Sequence, residues 1–109
     1  MTTGVTDPIT IPQGTYGINL NFTVYNNDGT AYDLTALTIT FKVWRSGNRD
    51  SLIVSGGCVI DVAASGTCHY TIVTGDFDKA GKYQWELELT KVGMIDNTIP
   101  AQLIVTESG

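Results

Sequence analysis

Lys82-Tyr83-Gln84-Trp85-Glu86-Leu87-Glu88-Leu89-Thr90 alternates without interruption, with Tyr83, Trp85, Leu87 and Leu89 on one side and Gln84, Glu86 and Glu88 on the other. Successive side chains of an extended chain point to opposite faces, so this spacing predicts a strand with one apolar face inward and one solvated face outward. The pattern recurs on both sides of it. Upstream, Leu37, Ile39, Phe41 and Val43 share one face while Thr38, Thr40, Lys42 and Trp44 share the other. From Tyr16 to Tyr25, Ile18, Leu20, Phe22 and Val24 are interleaved with Asn19, Asn21 and Thr23. Cys58, Ile60 and Val62 alternate with Val59 and Asp61, Ala63-Ala64-Ser65-Gly66 reads as a hairpin connection, and Cys68, Tyr70 and Ile72 return.

Shorter strands are expected at Ile9-Thr10-Ile11 and Leu52-Ile53-Val54. A last one at Thr98 to Thr106 would place Ile99, Ala101, Leu103 and Val105 on one side. Pro100 suggests an edge position for that last strand, because proline cannot donate to a ladder. Turn chemistry separates the runs, most densely at Asn26-Asn27-Asp28-Gly29. No segment repeats apolar residues at helical spacing. Seven or eight short strands, each with one apolar face, predict an all-β fold of two antiparallel sheets packed face to face. A small closed barrel satisfies the same pattern. Residues 1–14 are expected to form an N-terminal arm with a possible first strand, and residues 15–109 one sandwich domain.

A chain of 109 residues buries roughly two-thirds of its unfolded surface on folding, enough for a core without a metal or a disulfide frame. Net charge is −5, and the six cations, Lys42, Arg45, Arg49, Lys79, Lys82 and Lys91, form no run. Binding to phosphates needs clustered cations, so no nucleic-acid partner is expected. No apolar stretch approaches the roughly 20 residues of a membrane helix. Met1 to Pro8 shows no basic region followed by an apolar run, so no signal peptide is expected, and the chain reads as one made and assembled in the cytosol, or trimmed.

No catalytic, metal or cofactor site is predicted. His69 is the single histidine and falls opposite the inward Cys68 and Tyr70. Glu86 and Glu88 share one strand face, where paired carboxylates would be solvated. Asp76 and Asp78 flank Phe77 in a loop that matches no calcium-binding spacing. Cys58 and Cys68 read as two small buried residues, and a disulfide across the hairpin is also open. Apolar side chains at outward positions (Tyr25, Trp44, Val59, Val73 and Ile104) are the candidates for contacts, with Trp44, Tyr25 and Ile104 taken as interaction residues. Trp44 can equally fold over the end of the sandwich. Exposed strand edges offer a second docking mode, by strand addition.

Asp78-Lys79-Ala80-Gly81-Lys82-Tyr83-Gln84-Trp85 resembles the corner of immunoglobulin-like domains, in which a tyrosine at the start of a late strand bonds back to the turn. Three segments in order carry a narrower resemblance: Ile9-Thr10-Ile11-Pro12-Gln13-Gly14, Asn27-Asp28-Gly29-Thr30-Ala31-Tyr32-Asp33-Leu34-Thr35, and Gly81-Lys82-Tyr83. Together with Phe41-Lys42-Val43-Trp44-Arg45 they resemble small immunoglobulin-like structural proteins of tailed phages and prophages, in the manner of baseplate upper protein N-terminal domains. Ala36 stands where a glycine often follows the Asp-Leu-Thr. The resemblance implies an immunoglobulin-like β-sandwich and a non-enzymatic structural component of a tail, baseplate or neck, with no cofactor. It further implies contacts with other virion proteins, as a homo-oligomer or by repeated docking, in a virion assembled in the host cytoplasm. Two alternatives stand beside it. One is a capsid decoration protein. The other is a carbohydrate-binding or adhesion module using Trp44, Tyr16 and Tyr32 as aromatic platforms.

Overall fold

The structure, a computed structural model, describes residues 2–4, 9–26, 28–98 and 100–107. Asn27, Ile99 and residues 5–8, which enter the turn, strand and arm expectations above, lie outside them. Eleven strands follow in order: β1 (Thr2–Gly4), β2 (Ile9–Pro12), β3 (Asn19–Thr23), β4 (Tyr25–Asn26), β5 (Thr38–Arg45), β6 (Leu52–Gly57), β7 (Val59–Val62), β8 (Thr67–Thr71), β9 (Gly81–Lys91), β10 (Met94–Asn97) and β11 (Ala101–Thr106). A 3-10 turn, Ala63–Ser65, joins β7 to β8 at the expected hairpin connection.

The fold is the all-β sandwich that the alternation predicts. One sheet runs β2-β11-β9-β5-β6 with β10 also paired to β9; the smaller sheet runs β3-β8-β7; and β1 pairs with β4. Every pairing is antiparallel except that of β2 with β11, which is parallel and sets Ile9 beside Leu103. The long strand β9 organises the larger sheet. Its register with β5 pairs Phe41 with Leu87 and Val43 with Trp85, so the two cleanest alternations of the sequence bury their apolar faces side by side. From the opposite sheet, Phe22 comes within 4.9 Å of the Trp85 ring and 5.4 Å of Phe41, and Tyr70 lies 4.9 Å from Phe41. Full burial of each such ring contributes about 2–3 kcal/mol. The contact is so close at Gly56 that an added Cβ would sit 2.5 Å from the Tyr70 ring, which explains a glycine inside β6.

Four expectations need correction. Pro100 does not mark an edge: β11 begins after it and lies between β9 and β2, while the proline sits in the break between β10 and β11. The last strand is thus preceded by a separate strand, β10, folded back on the end of β9 through a turn at Gly93, whose φ is +80°. Ile18 is 57% exposed, standing one residue before β3 begins. Val62 is also turned outward, where a register shift between Ile60 and Val62 breaks the alternation. The short strand expected at Ile9-Thr10-Ile11 is present as β2, which pairs with β11 in the larger sheet and buries Ile11 in the core.

Candidate interaction surfaces

Tyr83 opens β9, and its hydroxyl donates to the Lys79 carbonyl at 2.7 Å, the corner bond expected from the sequence. The Arg45 guanidinium lies 5.1 Å from the centre of the same ring. Beside this corner is a cleft of about 300 Å³ whose lining includes Arg45, Asp76, Asp78 and Lys79. Its charges are of both signs and Asp76 is already engaged, accepting from the Val73 amide at 2.9 Å and from the Tyr70 hydroxyl. Burial, and then the Asp76 carboxylate, push the Tyr70 phenol well above the ordinary tyrosine range, so it stays a donor. Among the described residues no three His, Cys, Asp or Glu side chains converge as a metal site would require.

The loop between β4 and β5 repeats one device. Asp28 Oδ1 accepts from the amide and hydroxyl of Thr30, and Asp33 Oδ1 accepts from the amide and hydroxyl of Thr35. Each acid thereby closes a turn on the residue two positions on. These bonds, the threonine hydroxyl first, hold both carboxyls below the usual aspartate range. The next turn, closed by the Leu37 amide on the Leu34 carbonyl at 3.1 Å, places Ala36 at φ +63°; it is the single non-glycine residue with positive φ among those described.

The outward face of β5 and β9 departs from the solvated surface expected of it. Trp44 is only 2% exposed, its Nε1–H donating to Gln84 Oε1 at 3.2 Å. Arg49, reaching back from the β5–β6 loop, lies 4.3 Å over the indole. The same guanidinium makes a two-pronged pair with Glu86, at 2.8 and 3.0 Å, and Glu86 is also 2% exposed. Next to it Lys42 bonds Glu88 at 2.8 Å. Trp44 is therefore not an exposed anchor; of the two readings the sequence allowed, the structure takes the one in which it is covered. That also removes Trp44 from any sugar-stacking platform, and Tyr32 is partly buried with its hydroxyl on Asp96.

Tyr25 is 41% exposed and Ile104 is half-buried on β11. His69 faces outward, with its Nδ1 2.8 Å from Asp61 Oδ1. The most exposed apolar residues escaped the sequence reading. Val92 is fully exposed and Ile95 is 72% exposed at the tip of the β9–β10 hairpin, with Met94 between them. The available signal was Gly93, a turn residue standing just beyond the alternating run of β9, where the chain can reverse. Tyr16, Ile18 and Val73 are also exposed. Their segments adjoin, since the Gly17 amide bonds Ile72 O and the Ile72 amide bonds Ile18 O.

Residues 5–107 match the BppU N-terminal domain. The chain belongs to that family. It is the N-terminal domain family of the baseplate upper protein of phages, which makes the chain a phage baseplate or tail structural domain and its natural contacts other virion proteins. A domain of this kind suggests a non-enzymatic role. The BppU N-terminal sandwich is also similar to the crystal structure of CopC from Methylosinus trichosporium OB3b, with a TM-score of 0.56 and 10% identity, over 99% of this chain and 94% of that one. At that identity the likeness concerns the fold alone. Curated protein sequences give no match.

Proposed function

We propose that this chain is a non-enzymatic structural component of the tailed-phage baseplate, acting through protein–protein contacts as a homo-oligomer or by repeated docking on a larger virion protein, and assembled in the host cytoplasm. The match to the baseplate family over residues 5–107 carries this reading. The distribution of surface supports it. The middle of the large sheet is closed over by Arg49, whereas apolar side chains stand out on the β9–β10 hairpin and beside Tyr16. Exposed residues of that kind serve as anchors when a partner desolvates them. The contact residues proposed are Val92 and Ile95, with Tyr25 and Ile104 as secondary positions.

Light scattering of the purified protein over a range of concentrations tests the homo-oligomeric form. A discrete ring or trimer, dispersed by Val92→Asp with Ile95→Asp while the circular dichroism stays that of the sandwich, is the expected result. A monomer at every concentration removes self-assembly from the proposal. Docking is then read by co-sedimentation with assembling baseplates, and failure to co-sediment sinks the structural role.

A further inference from the structure

β6 is an outer strand of the large sheet, paired with β5 on one side and with no strand among the described residues on the other. Just past its end, the Cys58 amide bonds Ile39 O of β5 at 2.8 Å. Bonds toward one neighbour recur at every second residue of an antiparallel pair. Val54 and Gly56 therefore face β5 too, and the amides and carbonyls of Ser55 and Gly57 point away from the sheet. Both residues are exposed, and neither backbone finds a further partner among the described residues. Such a row is a template for another strand. Two other outer strands are guarded, β2 by Pro12 at its end and β7 by Asp61 beside a register shift. From Ser51 to Ile60 there is neither a charge nor a proline, and the register shift of β6 falls at its Leu52 end, before Val54.

Gly57 has no explanation within one molecule. Its φ lies outside the left-handed region, and a Cβ there would meet nothing within 4 Å, whereas the Tyr70 ring accounts for Gly56. A glycine inside a strand weakens it and often marks the close approach of another backbone. At the other end of the strand, Leu52 and Ile53 are 43% and 41% exposed.

We propose that β6 pairs with β6 of a second copy of this chain, antiparallel about a two-fold axis at Ser55, joining two large sheets into one. Each Ser55 amide donates to the Ser55 carbonyl of the other copy, and Gly57 of each copy lies opposite Ile53 of the other. The strand is complementary to itself. Gly57 leaves room for the branched Ile53, and the pairing covers apolar surface at both ends. A chain of net charge −5 meets itself over a stretch that carries no charge, where a charged foreign strand would find no complement. Lys42, the neighbour of Ser55 on β5, is held by Glu88 at 2.8 Å, so the two copies do not oppose free lysines. A six-residue edge buries less than the roughly 1,200 Å² of a stable complex, so the dimer is weak and forms where docking brings copies together.

The inference deepens the homo-oligomeric reading and rests on self-association, but through a surface other than the β9–β10 hairpin. Its test therefore uses the full chain carrying Val92→Asp with Ile95→Asp, in sedimentation equilibrium up to about 1 mM. The expected result is a monomer–dimer equilibrium, with the Ser55 and Gly57 amides exchanging more slowly as concentration rises. Adding Gly57→Val should raise the dissociation constant at least about tenfold, since the axis counts each clash twice, while the melting temperature holds or rises. Ser55→Lys should weaken the dimer as well, and added salt should restore part of it for the lysine variant alone. A monomer throughout, a dimer indifferent to Gly57→Val, or unprotected Ser55 and Gly57 amides would overturn the pairing. Protection that appears only with assembling baseplates would assign the edge to a strand of another protein and overturn the second copy. A parent that assembles while the hairpin variant stays monomeric overturns this inference and leaves the hairpin contact standing. A parent no larger than the variant's dimer does the reverse.

Discussion

Ala36 sits in a tight turn whose flanks cannot move: Leu34 and Leu37 on either side of it are both buried. The turn forces Ala36 to φ +63°, and the residue itself is exposed, so its methyl group contributes no burial in return. A left-handed conformation costs a residue with a Cβ roughly 1–2 kcal/mol. Glycine escapes that cost but loses about 0.4–1 kcal/mol more backbone entropy on folding than alanine. The difference predicts that Ala36→Gly stabilises the domain by about 0.5–1 kcal/mol, equivalent to a rise of about 3–6 °C in melting temperature. Ala36→Val should go the other way by about 1 kcal/mol, because a branched Cβ is least compatible with positive φ. Urea unfolding of the three proteins, with m-values compared to confirm a common unfolded state, measures both. If the glycine variant is no more stable than the parent while the fold is unchanged, the strain attributed to Ala36 is absent.

Three further outcomes follow from the same geometry. Tyr83→Phe removes the hydroxyl bonded to the Lys79 carbonyl and should cost about 1 kcal/mol in thermal unfolding, with little change in spectrum; an unaltered melting temperature would show the corner bond to be idle. Arg49→Ala should cost about 1–3 kcal/mol, since it strips the cover from Trp44 and leaves Glu86 unpaired, although the half-exposed arginine lets water take part of its place. Its tryptophan emission should shift to the red, and an unshifted spectrum would mean that another group covers the indole. The depressed folded-state carboxyls of Asp28 and Asp33 stabilise the loop above the unfolded aspartate value of about 3.9 and lose that contribution as pH falls through their lower folded values. Amide shifts of Thr30 and Thr35 should therefore titrate below that value, and midpoints at or above it would contradict the paired-turn description.

The fold was legible wherever one side of a strand met the core and the other met solvent, as in β5 and β9. Legibility failed where a neighbour, and not the local pattern, decides exposure. Ile18 continues the apolar alternation of β3 yet lies beyond the sheet, and Val62 is turned out by a bulge that a period of two cannot encode. Strand β10 was missed because its four residues carry mixed burial and it pairs only with the end of a longer strand. Pro100 misled for a related reason: it breaks β10 from β11 without lying in either. The family resemblance, with its frequent glycine after Asp-Leu-Thr, pointed at position 36, and the positive φ of Ala36 gives the physical reason. The setting of Cys58 and Cys68 was half legible, as the hairpin fixed their shared face but not the passage of the chain from one sheet to the other.

The outer face of the large sheet shows why a contact residue is hard to name from alternation alone. Trp44, Glu86 and Glu88 obey the period that sends side chains outward, and all three do leave the core. Arg49 then comes back from the loop, so the tryptophan gains an aromatic–cation contact and the acid a two-pronged partner. Lys42 and Glu88 close the adjoining position, leaving this part of the sheet saturated by its own side chains. A partner pressing on that area would have to displace a charge-assisted pair over a carboxylate that is already dehydrated, which costs more than covering bare apolar surface. Contacts should therefore form at the rim, where Val92 and Ile95 are uncovered and no internal bond must break to reach them. Paired substitutions separate the two areas: Val92→Asp with Ile95→Asp should weaken assembly and spare stability, whereas Arg49→Ala should weaken stability and spare assembly. The reverse pattern would place the interface over Trp44 after all.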